Sequence, residues 1–234
     1  MNNDIFISPE QVALEQHRFI VKVYGWMAAA LGITGLVSLY VASSSDIINM
    51  VYGNRAVFIG LIIVELLMVG GLAGFVNRLS ASAVTAIFIL YSIINGVTLS
   101  GIFLVYTAAS IATTFFITAG IFGVMGAYGY YTKKDLTRFG SLLFMLLIGL
   151  VIASLVNMFL KSTSLYWITS YLGVFIFTGL IAYDTQKLKS MYLLSEQGAD
   201  VERKGAVLGA LTLYLDFINL FLMLLRFFGG RRSN

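Results

Sequence analysis

Seven apolar runs follow one another along this chain, at residues 20–42, 56–76, 83–105, 109–131, 140–160, 165–186 and 205–228. A helix needs about 20 such residues to cross the hydrocarbon core of a bilayer. The runs are continuous and do not alternate polar with apolar residues, so they specify helices and not the strands of a membrane barrel. Only 11% of the residues are charged and mean hydropathy is +0.91. A soluble domain carries about 25% charged residues, and this chain has too few to cover a water-facing surface. The expected fold is an all-α, polytopic seven-helix bundle.

Residues 1–19 form an expected polar tail containing the only proline, Pro9, and residues 229–234 a short basic tail. The first run is too long for the core of a signal peptide and is expected to stay in place as a span. The link at 106–108 is so short that the third and fourth spans must form an antiparallel hairpin. The longest link, 187–204, carries Lys187, Lys189, Glu196, Asp200, Glu202, Arg203 and Lys204. No soluble domain and no internal repeat is visible.

Basic residues set the orientation. With the N-terminus in the cytoplasm, Arg18, Lys22, Arg78, Lys133, Lys134, Arg138, Lys187, Lys189, Arg203 and Lys204 lie inside, and Arg55, Lys161, Arg226, Arg231 and Arg232 outside. The last three pull the other way, and a seventh segment that entered without crossing would bring them inside. The net charge of +4 therefore reads as topology, not as nucleic-acid binding. With no cysteine and one histidine, His17, the chain has no thiolate or histidine-rich metal centre, and no cofactor is expected.

Three carboxyls interrupt the apolar runs. Asp184 closes Leu180-Ile181-Ala182-Tyr183-Asp184, Asp216 sits within Leu213-Tyr214-Leu215-Asp216-Phe217-Ile218-Asn219, and Glu65 lies among Ile62, Ile63, Val64, Leu66 and Leu67. A carboxylate at bilayer depth costs roughly 2.5–3.5 kcal/mol on insertion scales, so each needs a partner, a proton or water. Residues three and four apart share a helix face. In the last span Gly205, Gly209, Thr212, Asp216 and Asn219 form one small, polar stripe continued by Met223. Helix packing accounts for the glycines but not for Asp216. Weaker stripes are Tyr91, Asn95 and Thr98, then Ser110, Thr114 and Thr118, then Ser154 and Asn157; interhelical hydrogen bonding is the plainer role for each. Glu65 has no hydrogen-bonding neighbour on its own face. It is either a neutral structural acid or a proton-exchanging group.

Span six runs outward to inward and span seven inward to outward. If both helices continue past their apolar runs, Asp184 and Asp216 reach similar depth. Two carboxyls held close share a proton and attract cations. Calcium takes roughly 6–8 oxygen ligands, so the pair with Asn219 suits weak, transient calcium binding and not a tight cage. Arg78, at the inner end of span two, can pair with either aspartate, although a snorkelling anchor is its plainer role.

On these residues the chain resembles the transmembrane Bax-inhibitor motif family in its bacterial branch. The match is carried by Ala210 to Gly229 (ALTLYLDFINLFLMLLRFFG), by Tyr183-Asp184, by Lys133-Lys134-Asp135-Leu136 and by Glu65. The resemblance implies a bacterial inner-membrane protein in which six helices surround the last one. It further implies a pH-sensitive calcium leak governed by the aspartate pair, with Glu65 on the path and an arginine latch. Arg78 stands somewhat farther from Glu65 than the family pattern places its basic residues. Some bacterial relatives are associated with a membrane-bound AAA protease, which the resemblance makes an expected partner beside the lipid bilayer.

Three functions compete: a proton-regulated cation leak, a non-conducting modulator of a membrane protease or stress pathway, and an intramembrane aspartyl protease. The protease reading is the weakest. Such enzymes carry Gly-x-Gly-Asp at the second aspartate and a downstream proline motif, whereas this chain has Leu213-Tyr214-Leu215-Asp216 and Pro9 alone. The expectation is therefore not an enzyme.

Overall fold

The computed structural model describes residues 9–191 and 198–232. Among them nine α-helices run in the order α1 (Pro9–Ser43), α2 (Ser45–Tyr52), α3 (Arg55–Phe75), α4 (Ala81–Leu99), α5 (Ile102–Val105), α6 (Ala108–Tyr131), α7 (Thr137–Leu160), α8 (Thr163–Ser190) and α9 (Ala199–Phe228), with a 3-10 turn at Val76–Arg78. Seven segments are long and apolar enough to cross a membrane. The all-α polytopic fold is as expected, and α9 is unbroken for 30 residues, about 45 Å at 1.5 Å per residue.

Polar caps punctuate the apolar runs. Asn54, Ser80, Thr107 and Ser162 precede α3, α4, α6 and α8, and each side chain accepts a backbone N–H of the first turn, at 3.0, 3.2, 3.3 and 3.3 Å. Such caps satisfy amides that a helix start leaves free. The first helix begins earlier than its apolar run, at Pro9, where a proline at the first helical position loses no hydrogen bond. The polar tail is thus partly helical, and residues 1–8 lie outside the described region. In the 187–204 link, α8 continues to Ser190 and α9 starts at Ala199; Glu196 falls outside the described residues.

Two features have no signal in the apolar pattern. The short link between the third and fourth spans is present, but the expected hairpin is not a packed one: α4 leans on α1, α3 and α9 and α6 on α8 and α9, and the first arm breaks between α4 and α5. Tyr52 of α2 serves the break: its hydroxyl donates to Thr98 O at 2.7 Å and accepts Gly101 N–H at 2.6 Å. A side chain at Gly101 would collide with the Tyr52 ring. The C-terminal residues also fold back, with Thr107 N–H donating to Gly230 O and Arg232 N–H to Val105 O.

The core lies along α9, the most deeply buried of the seven membrane-length helices. It packs against α1, α4, α6 and α8. The expected ring of six around it is open, because α3 leans mainly on α4 and α7 mainly on α8. In lipid the apolar surface of a helix gains little by leaving the bilayer, so close approach depends on small residues and interhelical hydrogen bonds. Both occur here. Ser38 Oγ of α1 donates to Gly96 O of α4 at 2.7 Å, and Gly129 of α6 lies against the Ala182 carbonyl of α8 so closely that no Cβ fits. An ion pair, Lys22–Glu202 at 2.5 Å, ties α1 to α9 at one end.

Candidate functional site

The open ring leaves a cavity of about 950 Å³ between α7 on one side and α8 and α9 on the other. Its wall on α9 is the face bearing Thr212, Leu215, Asn219, Leu222 and Arg226, the least buried stripe of that helix. On α7 it runs from Gly140 to Leu155, about 22 Å of helix.

Asp184 and Asp216 both line this cavity. The two carboxyls interact directly, side chain to side chain, from adjacent helices. Asp216 is only 5% exposed. No donor among the described residues reaches its Oδ2. Between two carboxyls a hydrogen bond requires a proton on one of them. Lys187, one turn beyond Asp184, brings positive charge to the same end.

The neighbouring backbone explains how α8 comes to hold Asp184 there. The contact of Gly129 with Ala182 seats α8 on α6 two residues before Asp184. One residue before it, Tyr183 lies over Gly140 of α7. Two residues after it, the Gln186 amide clasps the α6–α7 link, accepting Leu136 N–H at 2.9 Å and donating to Lys134 O at 2.8 Å. The Lys133-Lys134-Asp135-Leu136 sequence thus docks next to the aspartate pair.

The remaining expected residues divide. Thr212 and Asn219 line the cavity, but their side chains donate back to Leu208 O at 3.1 Å and to Leu215 O at 2.8 Å on their own helix. Arg78 does not reach the pair: it is exposed in the 3-10 turn after α3 and lines no part of the cavity. The cations that do line it are Lys187 and Arg226. The spacing from Glu65 could not reveal this, since α3 packs on α4 and stands away from α8 and α9.

Glu65 also lies apart from the pair, on the other side of α9. Its Oε1 accepts Thr98 Oγ1–H at 2.6 Å and its Oε2 accepts Asn95 Nδ2–H at 3.4 Å. Asn95 Oδ1 in turn accepts the Tyr214 hydroxyl at 2.9 Å, and Tyr214 Oη is 2.7 Å from Thr34 Oγ1. Tyr214 and Asp216 are two residues apart, hence on opposite faces of α9. That helix therefore carries one polar group toward α8 and another toward α1 and α4. Tyr214 and Thr34 are the site-related residues that sequence reasoning passed over; their only signal was a hydroxyl within an apolar run.

Among the described residues no group of three or more His, Asp or Glu side chains is placed to hold a metal ion. The pair supplies two carboxyls, which is too few for a tight divalent-cation cage.

Residues 16–233 match the family model described as Inhibitor of apoptosis-promoting Bax1. The chain is similar to the inner membrane protein YbhL of Escherichia coli, with 54% identity over 215 residues and 92% of each chain covered. It is also similar to uncharacterized proteins of Borreliella burgdorferi, at 44% identity over 96% of this chain and 97% of the relative, and of Rickettsia prowazekii, at 45% over 92% and 91%.

Proposed function

Since this chain belongs to the Bax inhibitor family of membrane proteins, we propose that it is a proton-regulated cation leak in which Asp184 and Asp216 form the gate. The observation that carries this reading is the meeting of the two carboxyls, from separate helices, in a cavity they share with Thr212, Asn219 and Lys187. With one proton between them the pair is a closed, hydrogen-bonded latch across α8 and α9. With none, two negative charges repel each other and attract a cation. Few ligands and a charged neighbour in Lys187 suit an ion that binds weakly and leaves again, as conduction requires. Calcium is the ion this reading favours, as cargo and not as a resident cofactor. The carboxyls act as a gate, not as a catalyst. The basic-residue distribution supports a cytoplasmic N-terminus, which puts Asp184, Lys187 and the docked α6–α7 link toward the inner side. Glu65 and its hydrogen-bonded chain form a second polar station behind α9. Arg78 serves as a snorkelling anchor.

The test is calcium and monovalent-cation flux in liposomes across a pH series. Wild-type protein is expected to raise flux in a pH-dependent manner, and Asp184→Asn and Asp216→Asn each to flatten that dependence. Wild-type behaviour in both variants would make the pair a structural contact. Equal leak with and without protein would favour a non-conducting modulator.

A further inference from the structure

At the end where α7 turns into α8, a second cavity of about 330 Å³ is lined by Asn157, Lys161, Ser162, Thr163, Tyr166 and Arg231, with Trp167 at its side. Two of these residues are cations, and a third stands beside them. The Arg226 guanidinium lies 4.9 Å above the Tyr166 ring and donates to Ser170 Oγ at 3.1 Å. The ion pairs among the described residues are Arg18–Glu15, Lys22–Glu202 and Lys204–Asp200. None involves Lys161, Arg226 or Arg231. Three positive groups thus lie around one tyrosine, none of them in an ion pair with a described carboxylate.

The backbone builds this arrangement. Lys161 takes a left-handed conformation, φ 50°, which is uncommon for a residue with a side chain and ends α7 abruptly. Asn157 Oδ1 accepts Ser162 N–H at 2.8 Å and Ser162 Oγ caps α8. The start of a 28-residue helix, electropositive by its dipole, therefore opens into the cavity. Arg231 is set in place by the returning tail through its bridge to Tyr106. Tyr166, Trp167, Tyr171 and Phe227 stack in one cluster at this end, as aromatic side chains do at headgroup depth.

Arg226 connects the two cavities: it lines the groove that holds the aspartate pair and stacks on Tyr166, which lines the basic pocket. Apart from Ser154, its half of that groove is apolar, walled by Leu150, Val151 and Leu155 of α7 and Leu222 and Met223 of α9. A greasy slot leading away from a basic pocket at interface depth has the shape and charge of an amphiphile. We propose that this end of the bundle is a binding site for an anionic phospholipid, with the phosphate held by Lys161, Arg231 and the start of α8, and an acyl chain lying in the groove between α7 and α9. The lipid fills the gap left by α7 and screens the outer half of the groove from water, leaving the aspartate pair reachable from the Thr212 end.

The chain has two tryptophans, so Trp26→Phe leaves Trp167 as a sole reporter, 38% exposed beside the pocket. The experiment reconstitutes this variant in phosphatidylcholine vesicles containing brominated phosphatidylglycerol or, separately, brominated phosphatidylcholine, and measures quenching of Trp167. The anionic lipid is expected to quench at several-fold lower mole fraction. Adding Lys161→Gln with Arg231→Gln, both exposed side chains, brings the two lipids level while the emission maximum stays unchanged. Equal quenching by both lipids in the parent protein would overturn the site, as would a preference that survives the double substitution. Excess inorganic phosphate is expected to leave quenching as it is; displacement by it would assign the pocket to a soluble anion instead. The readout does not involve ion flux, so it stands or falls separately from the leak.

Discussion

Glu65 illustrates why a buried carboxyl cannot be interpreted from its own helix. Its neighbours one turn away are Leu61, Ile62, Met68 and Val69, none of which hydrogen-bonds through its side chain. Its partners come from α4, and α4 passes the interaction to Tyr214 of α9. A half-buried carboxyl deprived of a donor loses roughly 1–3 kcal/mol. Thr98→Val is therefore expected to lower the midpoint of thermal unfolding in detergent by several degrees, and Thr98→Ser, which keeps the hydroxyl, to stay near wild type. Equal midpoints for the two would mean that the 2.6 Å contact contributes nothing. The aspartate pair follows the same logic with a different outcome. Each member was conspicuous in its apolar run, but whether they met depended on helices that the run boundaries leave undefined.

Helices pack here through their small residues. The seating of α8 on α6 rests on Gly129 lying against the backbone of Ala182, where a Cβ has no flexible neighbour to push aside. Overpacking a tight interface costs about 1–3 kcal/mol. Gly129→Val is expected to lower the unfolding midpoint and to move α8, and with it Asp184, away from α9. The second effect can be read from flux, since the variant should show the flattened pH profile of Asp184→Asn. A variant that unfolds early yet keeps the wild-type pH profile would show that the α6–α8 contact stabilises the bundle without positioning the gate. At Gly209 the added Cβ would meet the end of the Leu188 side chain, which can swing away, so Gly209→Ala is expected to be much milder.

The whole bundle is asymmetric. One flank, α1, α4, α6 and α8, is packed closely on α9, while α3 and α7 stand outside it. The gap under α7 provides the cavity, and charge is distributed along it with the carboxyls at one end and Arg226 at the other, about 15 Å apart along α9. The orientation of this gradient in the membrane is testable because the chain has no cysteine. With the N-terminus inside, a single cysteine at Ser164 is expected to react with an impermeant maleimide in intact spheroplasts, and one at Lys133 only after permeabilisation. The reverse pattern would turn the bundle over and put the docked α6–α7 link outside.

The apolar runs alone specify the class of fold and the seven segments long enough to span, because a bilayer accepts only long helices with internally satisfied backbones. They also expose Asp184, Asp216 and Glu65 as groups in need of compensation. Partnership is a different matter. That Asp184 faces Asp216, that Glu65 turns to Thr98 and Asn95, and that Arg226 rather than Arg78 enters the cavity all depend on how helices distant in the chain rotate and lean against one another. Those angles follow from close contacts at glycines and hydroxyls spread over many helices, and no periodicity within one helix records them.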